Sequence, residues 1–312
     1  MKPVYVINGF LESGKSEFIN YTLDQPYFQI QGKTLLILCE EGAVECESAL
    51  LKKTRTEVEV VEEETDFNSI NLIELEKKHK PERIIIEYNG MWNCKNMKLP
   101  RHWSLQQQIT TIDASTFPTY FNNMKSLLAE MIRKSELIIF NRCDGLEDLG
   151  SYKRNVKAIN QKAEIIFEDS EGEVNAIMEE DLPFDVSAPL IKLDDMGYGI
   201  WYLDTLDNLS RYEGKKIEFL AMVLKPKNFP KDYFVPGRMA MTCCAEDITF
   251  LGFACKYDEA AIAELKPKQW IKVVATVKKE YWADYEGEGP MLYAESVEPA
   301  KAPKEAVISF VQ

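Results

Sequence analysis

The chain has 312 residues, 46% hydrophobic and 28% charged, which is the composition of a soluble globular protein long enough for two cores. Its net charge of −14 argues against electrostatic capture of nucleic acid or anionic lipid, since those affinities rest on Lys and Arg neutralising phosphates. No apolar run reaches the ~20 residues of a membrane span and no secretory leader opens the chain, so its seven cysteines are expected to be cytosolic thiols or metal ligands.

The first half alternates β-branched apolar runs with amphipathic stretches. Strands are expected at Val4–Asn8, Thr34–Leu38, Glu57–Val61, Arg83–Glu87, Gln108–Asp113, Glu136–Asn141 and Ala163–Glu168. Helices are expected at Lys15–Thr22, Ile70–His79, Phe117–Lys134 and Leu146–Gln161. Runs such as Leu35-Leu36-Ile37-Leu38 and Ile84-Ile85-Ile86 are apolar on both faces, as a helix-covered parallel sheet requires. The alternation predicts an α/β layered sheet with ligands at the strand carboxyl ends. Residues 181–211, with scattered Pro, Gly and acids, read as a connecting segment between a domain at 1–180 and another at 212–300. From Lys215 the rhythm is of strands, at Lys215–Lys225, Tyr233–Thr242, Ile248–Lys256, Gln269–Lys278 and Pro290–Val297, with a short helix at Asp258–Leu265. Five strands with a helix after the third is the order of an OB-type β-barrel.

The residues Gly9-Phe10-Leu11-Glu12-Ser13-Gly14-Lys15-Ser16 fit the G-x-x-x-x-G-K-[ST] phosphate loop between the first strand and the first helix. Glycines let successive N–H groups converge on a phosphate, and the helix adds its positive amino end. In that chemistry Lys15 reaches the β- and γ-phosphates and the Ser16 hydroxyl completes a Mg²⁺ shell. Glu87 closes a buried strand and opens Glu87-Tyr88-Asn89-Gly90, a switch-like segment in which the acid faces the metal and the Gly90 N–H meets the γ-phosphate. Asn141-Arg142-Cys143-Asp144 offers an amide for guanine N7 and a carboxylate for its N1–H and 2-amino group, although Asn and Asp are also ordinary turn residues. Cys39-Glu40-Glu41-Gly42 is the natural first switch, where Glu40 or Glu41 would bind Mg²⁺ or a carried metal, or would simply be solvated. Asp113, closing its strand, lies on the sheet edge from which a water-orienting group could come, and is more often a turn residue.

Together these stretches resemble the CobW-type metallochaperone GTPases of the SIMIBI class over roughly residues 1–180, through Gly9–Ser16, Glu40–Gly42, Glu87–Gly90 and Asn141–Asp144. The resemblance implies Mg²⁺-dependent GTP binding, slow hydrolysis, nucleotide-dependent homodimerisation, and handling of a metal such as Zn²⁺ or cobalt. Three departures stand out. Only Cys39 and Cys46 occupy the region where the family carries a C-x-C-C motif, Glu12 replaces a glycine beside the phosphates, and Arg142 replaces lysine. The other half, through Tyr212–Lys215, Phe229–Val235 and 237–247, resembles the soluble domain of uncharacterised bacterial permease-associated proteins.

Cys243-Cys244, with Asp247, is either a soft-metal thiolate site or one buried thiol beside one surface thiol. Aromatics of the second half, including Tyr233 and Trp282, would suit single-stranded nucleic acid, but neighbouring acids argue against it. The sequence therefore supports a cytoplasmic GTPase switch serving a metal-dependent client or a permease. A P-loop ATP-dependent phosphotransferase and a non-hydrolysing nucleotide-sensing adaptor remain as alternatives.

Overall fold

The computed structural model describes residues 1–40, 48–146, 149–174, 182–241, 248–282 and 285–309. The chain divides into two compact units, Met1–Met178 and Glu179–Gln312.

In the first unit the strands are β1 (Lys2–Asn8), β2 (Thr34–Leu38), β3 (Thr56–Val60), β4 (Arg83–Glu87), β5 (Trp103–Asp113), β6 (Leu137–Asn141), β7 (Glu164–Asp169) and β8 (Gly172–Glu173). Their order across the sheet is β3-β2-β4-β1-β5-β6-β7-β8, parallel throughout except for the antiparallel β7–β8 edge. The helices are α1 (Lys15–Asp24), α2 (Ser48–Lys53), α3 (Ser69–His79), α4 (Phe117–Asn123), α5 (Lys125–Arg133) and α6 (Leu149–Ile159). Val4, Val6, Leu35, Leu36, Ile37, Ile84 and Ile86 are all fully buried, as expected for central strands with helices on both faces. This is the expected α/β arrangement, and it sets β1, β4, β5 and β6 side by side with their carboxyl ends together.

Two local expectations change. The helix expected over Phe117–Lys134 is broken at Met124, whose φ of −129° and ψ of 32° leave the helical region. Asn122 and Asn123 precede the break, and the Asn123 amide donates to the Thr119 carbonyl, the kind of side-chain bond that weakens a helix. Strand β5 begins five residues earlier than expected because Trp103–Leu105 pair with Lys2–Val4, ahead of a register shift.

The second unit contains β9 (Ile191–Lys192), α7 (Asp195–Asp207), α8 (Leu209–Tyr212), β10 (Lys216–Leu224), β11 (Tyr233–Met241), β12 (Ile248–Gly252), β13 (Cys255–Lys256), α9 (Glu259–Glu264), β14 (Trp270–Trp282), β15 (Gly287–Pro299) and β16 (Val307–Ser309). Strand pairing forms a circuit, β10–β14–β15–β13–β11 and back to β10, with β12 and β16 also on β11 and β9 on β10. The expected strand Ile248–Lys256 is split into β12 and β13. Much of the stretch read as a connecting segment is helical. Helix α7 is capped by the Asp194 carboxylate, which accepts from Gly197 N at 2.7 Å, and it buries Tyr198 and Trp201 against Phe219 and Phe253. Among the described residues, no helix is long and apolar enough to cross a membrane.

Candidate functional site

The site is the turn between β1 and α1 and the three strand ends beside it. The loop needs left-handed backbone at Gly14 (φ 90°) and a positive φ of 144° at Gly9. Both glycines are also sterically required. A Cβ on Gly9 would lie 2.4 Å from the Thr111 carbonyl oxygen, and one on Gly14 would lie 2.3 Å from Asn141 Nδ2. Glu12 adopts φ 62°, a left-handed conformation that costs a non-glycine residue about 1–2 kcal/mol, at the position where glycine was expected.

Lys15 is 3% exposed, with its ammonium folded back onto the loop, donating to the carbonyls of Gly9 (3.0 Å) and Phe10 (2.9 Å) and pairing with the Glu40 carboxylate. Ser16 Oγ donates to both carboxylate oxygens of Glu87, at 3.0 and 3.1 Å. Burial pushes the Glu87 carboxyl above its ordinary range, partly offset by the Lys15 charge and the Ser16 hydrogen bond and reinforced by Glu40. Lys15, Ser16, Glu40 and Glu87 therefore form one cluster, joined by the Lys15–Glu40 ion pair, the Ser16–Glu87 hydrogen bonds and the Lys15 charge acting on Glu87. A buried carboxylate beside a hydroxyl is the donor set a hard divalent cation takes, so the residues present fit Mg²⁺.

The segment after β4 is pressed onto the loop. Tyr88 N donates to the Ile7 carbonyl at 2.8 Å, and a Cβ on Gly90 would sit 2.2 Å from the Gly9 carbonyl oxygen and 2.7 Å from Phe10 Cα. Asn89 Nδ2 donates to the Cys39 carbonyl at 3.1 Å, and Cys39 N to the Glu87 carbonyl at 2.9 Å, so the end of β2 is tied to the end of β4.

The segment after β6 is tied to the same loop from the other side. Asn141 Nδ2 donates to the Ser13 carbonyl at 2.8 Å, and its Oδ1 is buried with no hydrogen-bond partner. Arg142 Nη1 donates to the Glu12 carbonyl at 2.8 Å and to Asp113 Oδ2 at 2.7 Å. Asp144 is oriented by Ser170, whose backbone N donates to Asp144 Oδ1 at 3.1 Å and whose hydroxyl donates to the same oxygen. The Asn141 amide and the anchored Asp144 carboxylate thus stand three residues apart beside the loop, one able to donate through Nδ2 and the other to accept. Ser170 and Thr111, whose Oγ1 lies 3.0 Å from Ser13 Oγ, escaped the sequence reading. A lone hydroxyl past a strand end looks like turn chemistry, and only the acid-rich Glu168-Asp169-Ser170 corner hinted at Ser170.

The soft-metal expectation fares differently. Cys39 is fully buried, and burial, with help from Glu87 and Glu40, drives its thiol far above the ordinary value despite the backbone bond to Asn89. Glu41, Cys46, Cys243, Cys244 and Asp247 lie outside the described residues. Among the described residues, no group of three or more His, Cys, Asp or Glu is arranged to hold a metal ion.

The family described as CobW/HypB/UreG, nucleotide-binding domain, matches residues 3–167. The DUF1980 C-terminal domain matches residues 169–308. No curated protein matches the chain. Solved structures similar to it include hydrogenase maturation factor HypB from Archaeoglobus fulgidus, 18% identical, covering 55% of this chain and 82% of that one at a TM-score of 0.39. The Zn(II)-bound YjiA GTPase from E. coli is 14% identical, covering 84% and 96% at a TM-score of 0.42. HypB from Helicobacter pylori in complex with nickel is 14% identical, covering 54% and 80% at a TM-score of 0.34.

Proposed function

The chain belongs to the CobW/HypB/UreG nucleotide-binding family, and from that premise we propose that it is a GTP-binding protein whose slow hydrolysis serves as a switch in metal delivery, metal insertion or permease homeostasis. The observation that carries this reading is the double tie of β6 to the phosphate loop. Asn141 and Arg142 hold two consecutive loop carbonyls, Ser13 and Glu12, so base-reading and phosphate-binding groups form one rigid frame.

In this reading Gly9, Glu12, Ser13, Gly14, Lys15 and Ser16 cradle the triphosphate, Asn141 and Asp144 read guanine, and residues 1–180 form the GTPase domain. Mg²⁺ would be held by Ser16 and Glu87, with Glu40 or Glu41 as further candidate ligands, and would supply charge neutralisation at the phosphates. Lys15 must leave the Gly9 and Phe10 carbonyls and the Glu40 carboxylate to meet phosphate oxygens. Its release frees Glu40, so phosphate binding and the first switch are linked through one ammonium. In the same reading Gly90 reports the γ-phosphate through its N–H, supported by its close approach to Gly9 and Phe10. The transported metal, Zn²⁺ or a similar ion, is substrate rather than resident cofactor, with Cys39, Cys46, Cys243 and Cys244 as its candidate thiols.

For the second unit we read the circuit of strand pairing, with α9 following β13, as an OB-type barrel. Its place in the proposal is to meet a client or permease protein in the cytoplasm, while GTP drives association of two copies.

The test is equilibrium binding of GTP and ATP to the wild type, Lys15→Ala and Asp144→Ala. The proposal expects GTP to bind at least tenfold tighter than ATP, no measurable binding by Lys15→Ala, and loss of base preference in Asp144→Ala. ATP preference in the wild type, unmoved by Asp144→Ala, would replace it with a phosphotransferase. Tight GTP binding with no phosphate released in a parallel turnover assay would replace it with an adaptor.

A further inference from the structure

Arg142 stands where a lysine was expected, and its guanidinium is held from three directions. Nη1 donates to the Glu12 carbonyl at 2.8 Å and to Asp113 Oδ2 at 2.7 Å, and Nη2 lies 3.6 Å from Glu17 Oε2. These acceptors come from the phosphate loop, the end of β5 and the first turn of α1. Arg142 itself has a φ of 54°, so the start of its side chain is set by a left-handed backbone and its tip by the three acceptors. Both ends of the stem are therefore defined, although the side chain is 45% exposed.

Asp113 is fully committed. Its Oδ1 accepts from Ser115 N at 2.9 Å and Ser115 Oγ at 2.5 Å, and its Oδ2 takes the guanidinium. Burial would raise its carboxyl, but the Ser115 and Arg142 hydrogen bonds outweigh that and hold it below the ordinary range. A carboxylate with both oxygens occupied and a lowered proton affinity is poorly suited to orient or deprotonate water. It is well suited to hold a cation still.

We propose that Asp113 is a positioning residue for base recognition, fixing the Arg142 guanidinium against the phosphate loop so that the Arg142 stem presents a rigid shelf to a purine ring between Asn141 and Asp144. The inference rests on the guanine-nucleotide reading of the same site. It also accounts for the substitution. An ammonium has no plane to set, whereas a forked guanidinium satisfies two acceptors from one nitrogen and faces a third with the other. The same group places one positive charge among Asp113, Glu17 and Glu12, three acids beside a site for a polyanion.

Electrostatics and positioning predict opposite signs, which makes the idea testable. Asp113→Asn removes a negative charge near the phosphates, so by field alone every polyphosphate should bind the same or more tightly. Loss of the shelf should instead weaken only ligands that carry a base. The measurement is the affinity of the full chain for Mg²⁺·GTP and for Mg²⁺·tripolyphosphate, in the wild type, Asp113→Asn and Ser115→Ala. The expected result is about a tenfold loss for GTP in Asp113→Asn with tripolyphosphate unchanged or tighter, and a smaller loss of the same kind in Ser115→Ala. Arg142→Ala combined with Asp113→Asn should be no weaker for GTP than Arg142→Ala alone. An unchanged GTP affinity in Asp113→Asn, or equal losses for both ligands in both variants, would overturn the inference and leave the guanine reading standing. A wild type that binds tripolyphosphate as tightly as GTP would overturn both.

Discussion

Glu87 sits where its charge is costly and also needed. A carboxyl whose folded pKa lies above its unfolded value binds more protons when folded, so its ionisation costs stability as pH rises through that window. Metal binding makes the opposite demand, because only the ionised carboxylate is a ligand. Mg²⁺-dependent GTP affinity should therefore fall on acidification, starting above the ordinary carboxylate range of about 4. Glu87→Gln should bind weakly at every pH. The readout is the ratio of the two affinities from neutral pH to about pH 5, since the nucleotide's own phosphate titration is common to both proteins. A constant ratio would show that Glu87 stays ionised or never meets the metal. At this scale the loop spacing alone singled out Gly9, Gly14, Lys15 and Ser16, and strand ends singled out Glu87 and Asn141; the structure brings the six together, which leaves their roles to the measurements above. Ser170 and the clamp from Asp113 to Arg142 could not be singled out this way, because they arise only when β5, β6 and β7 lie side by side.

Between elements, the tightest junction in the site is the end of β4 against the β1–α1 loop. Gly90 has no room for a methyl group there, with backbone on the receiving side rather than a side chain that could swing away. Gly90→Ala should displace the loop, costing about 1–3 kcal/mol in stability and so a fall of roughly 2–12 °C in Tm. Nucleotide affinity should fall with it, and the paired measurements are a thermal melt and a GTP titration. An alanine variant with unchanged melt and affinity would mean the two segments are free to separate. Element boundaries were legible where a short, continuous apolar run was bounded by charged or polar residues, and β2 and β4 match the sequence expectation end to end. Helix α7 was hidden for a physical reason. Tyr198, Trp201, Leu203 and Thr205 are buried together with Gly197 and Gly199, so the helix lacks the polar stripe that marks an amphipathic segment, and its glycines read as loop. The short helix α2 begins beside residues outside the described set and was also missed.

On the scale of the whole chain, the two compact units imply that nucleotide should act locally first. Saturating Mg²⁺·GTP, at about a hundred times Kd, adds about 2.7 kcal/mol to whatever it binds. In hydrogen exchange, residues 9–20, 87–92 and 141–146 should slow markedly, with globally exchanging amides of the first unit slowed up to about a hundredfold. Peptides of β10, β14 and β15 should slow less. Equal slowing across both units would mean that the chain unfolds as a single cooperative body.

The strand order carries a consequence for biosynthesis. Strand β1 is made before both of its neighbours, β4 and β5, so neither edge of Lys2–Asn8 is paired until residues near 87 and 110 have emerged. The ties to Ser13 and Glu12 come later still, from Asn141 and Arg142. At about 5–20 residues per second, the stretch from Ser16 to Arg142 takes roughly 6–25 seconds to make, and for that interval the loop lacks these ties. During that interval both edges of β1 wait for β4 and β5, and the phosphate loop is without the side chains that later fasten it from the far side of the sheet.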